Sequence, residues 1–188
     1  PNLIQAHTRE FYKAQQEHAY NQRFDAAQQN ATSLQIVSQD PMASEDDKQL
    51  RQANFLQGFV LPAGVDPESH KQFIQTSLAS LAEAGQFHAL NTAMQAGVAS
   101  MLPPEKRLQL EQQITMFKKQ AAREAIDSYT EQIVTIQAKA ANNEYKWGKD
   151  VMDAFNAINE DYAKRTGNDE PVIHRAMQSS TVLTARQA

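Results

Sequence analysis

A segment without glycine or proline runs from Gln5 to Ser38 and reads QAHTREFYKAQQEHAYNQRFDAAQQNATSLQIVS. It is rich in Gln and Ala and also contains Glu and Lys, all of which cost little free energy in a helix, so it predicts one long helix. The helix should end before Pro41, because a proline ring disfavours helical geometry at the preceding residue, Asp40. Apolar residues spaced by three or four place a stripe on one face, which Phe11 continues loosely. The stripe comprises Tyr20, Phe24, Ala27, Ala31 and Leu34. Because it is narrow, it suits a partner helix better than a thick core.

Three further helix starts follow along the chain. Ser44 and Asp47 resemble a capping box with Asp in the place of Glu. The run 66–68, Asp-Pro-Glu, combines a capping carboxylate with a proline in the first turn. The run 103–105, Pro-Pro-Glu, opens the longest segment, which should reach about Tyr145 and measure roughly 60 Å at 1.5 Å per residue.

Several glycines are expected to end or interrupt helices in the rest of the chain. Gly85 and Gly97 are expected to bound a short helix, Gly148 to bend or interrupt the long segment, and Gly167 to close it. The pattern predicts an all-α fold of long helices and short helical hairpins, elongated and either solenoid- or bundle-like. Its predicted parts are a long helix over 1–40, short hairpins over 41–102, a long helix or helix pair over 103–167, and a tail over 168–188 that could form one more short helix.

Composition excludes several classes of protein. A net charge of −4 over 188 residues gives no broad basic field for gathering nucleic acid by counterion release. With no cysteine the chain has neither disulfides nor thiolate metal ligands. No apolar run approaches the roughly twenty residues that a membrane-spanning helix needs, so no transmembrane segment is expected. The start at Pro1 suggests a processed chain or a fragment.

The sequence carries no recognisable catalytic motif. The histidines are scattered without metal-ligand spacing, and glycine-rich phosphate loops and nucleophile elbows are missing. The prediction is therefore a protein that holds or assembles, with no enzymatic activity, metal or cofactor. One basic concentration, Lys118, Lys119 and Arg123, is a candidate for weak nucleic-acid contact, although Glu124 and Asp127 largely cancel its charge.

Large apolar side chains on the long helices are candidates for packing between subunits. Narrow stripes on long helices can be covered by symmetric copies of the same chain, so a homo-oligomer is expected. The candidate subunit-packing residues are Phe11, Tyr20, Phe24, Leu34, Ile114, Phe117, Ile133, Ile136 and Trp147.

Two stretches, AEAGQFHALNTAM at 82–94 and MLPPEKRL at 101–108, resemble segments of internal virion proteins of short-tailed phages, the podoviruses. The runs ASEDDK at 43–48 and DPES at 66–69 add to the resemblance, which covers residues 5–145 in general style. It implies a structural protein packed inside the capsid with other core or portal proteins. Such proteins are ejected with the genome and help form a conduit through the host envelope. Some members carry a peptidoglycan-cleaving domain, to which nothing in this chain corresponds.

A second interpretation is a helical binding module, either a solenoid-like adaptor or an extracytoplasmic sensor bundle. Its short helices between Phe59 and Met94 would cradle a peptide or a small ligand. For a protein outside the virion, a cytoplasmic location is expected. Neighbouring portal and tail genes would favour the virion interpretation over this one.

Overall fold

The computed structural model describes residues 3–145, 148–168 and 170–172, with side chains from Arg9 onward. These residues form six α-helices, one short 3-10 helix and no strand, which confirms the predicted all-α class. The helices are α1 (Leu3–Gln39), α2 (Glu45–Gln57), α3 (Pro67–Glu83), α4 (Phe87–Gln95), η1 (Val98–Met101), α5 (Pro104–Ala141) and α6 (Lys149–Thr166). The predicted elongated, solenoid- or bundle-like arrangement stays a prediction, and the predicted tail lies mostly outside the described residues.

The chain divides into two compact units, residues 1–112 and 113–188. In the first unit, α1 packs against α2, α3 and α4, and η1 packs against α3 and α4. Its core is rich in aromatic rings: Phe55 meets Phe59 edge to face at 5.3 Å between ring centroids, and Phe59 lies 6.0 Å from Phe73. Aromatic pairs of this kind stabilise a fold by more than the burial of their surface alone, so these rings stabilise the core of the first unit.

The predicted caps form at both helix starts. The Ser44 hydroxyl accepts a hydrogen bond from the Asp47 backbone N–H at 3.1 Å and donates to the Asp47 carboxylate at 2.7 Å. Asp66 accepts from the Ser69 backbone N–H at 2.9 Å, with Pro67 in the first turn of α3. Each cap satisfies a backbone donor that the helix itself leaves without a partner.

Gly85 ends α3 in the left-handed conformation, with φ of 69°. Its N–H donates to the Ala82 carbonyl at 3.2 Å, and the next N–H, of Gln86, donates to the Leu81 carbonyl at 2.9 Å. This pair of hydrogen bonds is the Schellman motif, which glycine adopts without steric cost. The tight turn lets α4 start at Phe87 and pack back on α3.

The second unit is built on the seam of α5 and α6. Small and β-branched side chains of α5 line it together with two tyrosines, Tyr129 and Tyr162, whose rings meet at right angles 5.3 Å apart. The cluster comprises Ala122, Ala125, Tyr129, Ile133, Ile136, Ala140, Val151, Ile158, Tyr162 and Val172. Along α5 the members of this cluster recur every three or four positions, and they include Ala122 and Tyr129, which the sequence did not single out.

The predicted end of the long helix near Tyr145 is wrong by four residues. The helix ends at Ala141, and Asn143 then takes the left-handed conformation with φ of 59°. The Asn143 N–H donates to Ala140 at 3.2 Å and the Glu144 N–H donates to Lys139 at 2.9 Å, which is the same Schellman pattern as after α3. Asparagine tolerates this backbone region better than other residues with a side chain, so the Asn142-Asn143 pair carries the stop signal.

Candidate functional site

Arg23 stands at the centre of a network in the first unit that joins α1, α3 and the connection between α2 and α3. Its Nη2 donates to the backbone carbonyls of Gly58 at 3.0 Å and Val60 at 3.1 Å, and lies 3.0 Å from His70 Nδ1. The guanidinium carbon sits 3.8 Å from the centroid of the Phe73 ring, within cation–π distance. The side chain therefore satisfies carbonyls just beyond the end of α2 and is held in one orientation.

His70 is buried beneath this arginine and is only 4% exposed. Its ring stacks on Phe73 at 6.2 Å between centroids, with an interplanar angle of 12°. Burial, and then repulsion by Arg23, lower the pKa of His70 below its ordinary value of 6.5, against an opposing effect of the Phe59 carbonyl. A neutral ring with Nδ1 as the acceptor from Arg23 carries its proton on Nε2, which is buried without a hydrogen-bond partner among the described residues.

A cleft of about 600 Å³ adjoins the network. One wall is the face of α1 that includes Tyr20 and Arg23, and the other is formed by the loop before α3 and the first turns of α3. Tyr20 is fixed in this wall by an edge-to-face contact with Phe73 at 5.9 Å. The lining residues are Gln16, Glu17, Ala19, Tyr20, Asn21, Arg23, Gly64, Val65, Asp66, Ser69 and Gln72. This volume lies within the range of small-ligand sites, roughly 300 to 1,000 Å³.

Sequence reasoning did not single out Arg23 or His70. A signal for Arg23 was present, because it follows Tyr20 by three residues and precedes Ala27 by four, which places a charge on the apolar stripe of α1. A charge in that position requires buried hydrogen-bond partners. The partners come from residues some 35 to 47 positions further on, so their identity depends on the tertiary fold.

The residues predicted to pack between subunits fall into three groups. Covered within their own chain are the buried Leu34, Ile114, Ile133 and Ile136. Partly exposed are Tyr20, Phe24 and Phe117. Phe11 is 62% exposed and is joined by its neighbour Tyr12 at 61%, while Trp147 lies outside the described residues. Of the nine, Phe11 is therefore the described side chain with the most surface open to a partner.

Comparison with known protein families, with curated proteins and with solved structures finds no match to this chain. The resemblance to internal virion proteins therefore rests on the stretches quoted above and stays a prediction.

The candidate nucleic-acid residues lie on α5. Lys119 and Arg123 are exposed and Lys118 is partly covered. The Lys118 carbonyl accepts a hydrogen bond from the Asn168 side chain at 3.1 Å, so this part of α5 also anchors the chain after α6. Gln120 donates to the nearby Glu124 at 2.9 Å, which leaves carboxylate charge beside the basic residues. Weak nucleic-acid contact at this place remains a prediction.

A second polar network lies in the core of the second unit. The Tyr129 hydroxyl donates to the Asp161 carboxylate at 2.6 Å, and burial followed by this hydrogen bond raises the pKa of Tyr129 to about 12. The adjacent Tyr162 hydroxyl is buried without a hydrogen-bond partner among the described residues. The hydrogen bond joins α5 to α6 at the edge of their shared apolar cluster.

Over the part of the chain that the structure describes, neither a metal-binding cluster nor a membrane-spanning helix is found. Within it, no group of three His, Asp or Glu side chains is placed to share a metal ion. None of the helices there combines the length and apolar character needed to cross a bilayer.

Proposed function

We propose that this chain is a structural subunit that self-associates through the N-terminal half of α1, as an internal virion protein of a short-tailed phage would. The observation that supports the proposal is the environment of residues 9–19, all of whose side chains are exposed although the helix is continuous there. Two aromatic rings, Phe11 and Tyr12, lie in this half and meet edge to face at 6.3 Å.

The exposed aromatic pair has a free-energy cost that association would remove. Fully burying one large apolar side chain contributes about 1.5 to 3 kcal/mol. Most of the stability of helices in proteins comes from packing of one face against a partner. A second helix laid along residues 9–19 would supply both contributions.

Helix geometry places Phe11 on the face of α1 opposite Tyr20. Nine residues separate Phe11 from Tyr20, and at about 100° per residue the two side chains point to roughly opposite faces of α1. Tyr20 faces Phe73 in the core, so Phe11 is directed away from that side. This finding corrects the expectation that Phe11 continues the apolar stripe, because its spacing from the stripe is half a turn out of phase.

The virion setting of the proposal rests on the resemblance. In that setting, multiple copies would associate with core or portal proteins inside the capsid and be ejected with the genome into the host envelope. No catalytic step is part of the proposal. Turnover of peptidoglycan or nucleotides by the purified chain would contradict it.

The test is the association state of the full chain with and without the aromatic pair. Sedimentation equilibrium over a range of concentrations should show a reversible oligomer for the wild type and a monomer for the Phe11→Ser, Tyr12→Ser double variant. A matched control is Leu50→Ser, which changes a side chain that is 55% exposed on α2. A wild type that stays monomeric at its highest soluble concentration, or a Leu50→Ser variant that dissociates equally, would contradict the proposal.

A second function, a helical binding module, is favoured by the cleft beside Arg23. Filling this cleft tests it without touching the buried network, because Ala19 lines the cleft and is exposed. Ala19→Trp should leave the unfolding curve nearly unchanged and abolish binding of any ligand held there. Retention of such binding in the Ala19→Trp variant would place the ligand elsewhere.

A further inference from the structure

The side chain of Arg23 is held in one orientation through a single nitrogen, Nη2. Arg23 uses Nη2 for its contacts with Gly58, Val60 and His70, and its plane lies against Phe73. These contacts come from backbone carbonyls, a neutral imidazole and an aromatic face, none of which carries a negative charge. A side chain ordered in this way loses little further conformational entropy when a ligand binds to it.

The remaining donors of Arg23 are open. Among the described residues, Nε and Nη1 make no hydrogen bond and Arg23 forms no ion pair, although the side chain lines the cleft. A partly buried cation without a counter-ion is unfavourable, and its pKa is lowered by that burial. An anion entering the cleft would relieve this imbalance.

The other charged residues that line the cleft limit the class of ligand that can bind beside Arg23. Glu17 and Asp66 also line it. Glu17 forms an exposed ion pair with Lys13 at 3.9 Å, which offsets only part of its charge. Hydrogen bonds from the Ser69 backbone and hydroxyl lower the pKa of Asp66, so it is ionised at neutral pH. A phosphate or a dicarboxylate would be repelled by Asp66 and more weakly by the paired Glu17, and a simple cation would be repelled by Arg23. A ligand that carries both charges matches the cleft.

We propose that the cleft binds a small zwitterion, an amino acid or short peptide, with its carboxylate on Arg23 and its ammonium group toward Glu17 and Asp66. This inference rests on the second function proposed above and names the ligand class of that site. Tyr20 and Val65, which line the same cleft, provide apolar surface for the remainder of the ligand.

The experiment titrates the full chain, labelled with ¹⁵N, with the proteinogenic L-amino acids and L-alanyl-L-alanine, followed by amide chemical shifts. N-acetyl-L-alanine, which lacks the ammonium group, and L-alaninamide, which lacks the carboxylate, are the discriminating probes. At least one zwitterion should shift residues around the cleft, and both blocked probes should bind at least about tenfold more weakly than L-alanyl-L-alanine, as expected for the loss of one charge-assisted contact.

Variants identify the two ends of the site. Arg23→Gln should weaken binding by about tenfold or more, with the exposed Arg51→Gln as the matched control. Since Arg23→Gln also disturbs the fold, Glu17→Gln and Asp66→Asn provide an independent test. Asparagine keeps the helix cap, so Asp66→Asn removes only the charge. Both should weaken the binding of zwitterions, and neither should weaken the binding of N-acetyl-L-alanine, which has no ammonium group to contact these carboxylates.

Each outcome decides the inference. Selective weakening by Glu17→Gln or Asp66→Asn, together with loss of binding in Ala19→Trp, supports it. Equal binding of a blocked probe at the cleft would overturn the zwitterion assignment and leave the binding-module function standing. No shift at the cleft with any probe would overturn the inference.

Discussion

The two halves of α1 belong to one continuous helix and lie in opposite environments. In the second half, Ala27, Ala31 and Leu34 are at most 3% exposed, and α1 packs against α2, α3 and α4. From Arg9 to Ala19 every side chain is exposed, including two aromatic rings. One continuous helix thus supports a core in one half and an open surface in the other, because helix formation depends on local propensity and burial depends on which partners reach each face.

The largest effect should come from the packed half. Leu34→Ala removes a side chain that is 2% exposed, and we expect the free energy of unfolding to fall by about 2 to 5 kcal/mol. Urea denaturation followed by circular dichroism measures this difference. An equal loss of unfolding free energy in Phe11→Ala would contradict the difference between the two halves.

Arg23 lies at the junction of the two halves, and its removal should have the next largest effect. Arg23→Met keeps much of the apolar stem and leaves the Gly58 and Val60 carbonyls without their donor, at a cost of about 1 to 3 kcal/mol. Arg51→Met, an exposed change on α2, should stay within about 0.5 kcal/mol and serves as the control. Equal midpoints for the two variants would mean that the network contributes nothing to stability.

The pH dependence of stability should reveal His70. Because the pKa of folded His70 is lowered, the unfolded chain takes up a proton more readily once the pH falls below the ordinary value of 6.5. The stabilising contribution is therefore present above that value and is lost as the pH falls toward the lower pKa of the folded state. The urea concentration at the unfolding midpoint of the wild type should therefore fall as the pH is lowered from about 7.5 to 5.5. The decline should be smaller in His70→Gln, and an identical decline in His70→Gln would rule out this origin.

The smallest effect on stability should come from the exposed half. Phe11→Ala and Tyr12→Ala, measured on dilute monomer, should each change the free energy of unfolding by no more than about 0.5 kcal/mol. Their effect should instead be on association, which removes the same rings from water. A loss of several kcal/mol in the dilute monomer would show that the rings are covered within their own chain.

Local signals predicted much of the fold. The end of α1 before Pro41 and the caps at Ser44 and Asp66 are each confirmed, because each depends on a few neighbouring residues. The end of α5 was missed because the left-handed residue there is Asn143 rather than a glycine. Tyr129 was also missed, because a tyrosine within a polar stretch shows no sign of burial until Tyr162 is brought opposite it.

The contacts of the candidate site could mostly not be predicted from such local signals. The sequence by itself determined the all-α class, most helix boundaries and the absence of thiol chemistry, since these follow from backbone preferences and composition. Only the tertiary structure decided which stripe residues are covered within the chain and that Arg23 meets His70 across 47 positions of sequence. The physical reason is that helix formation is settled within a few turns, whereas burial and charge pairing depend on contacts between residues far apart in the chain.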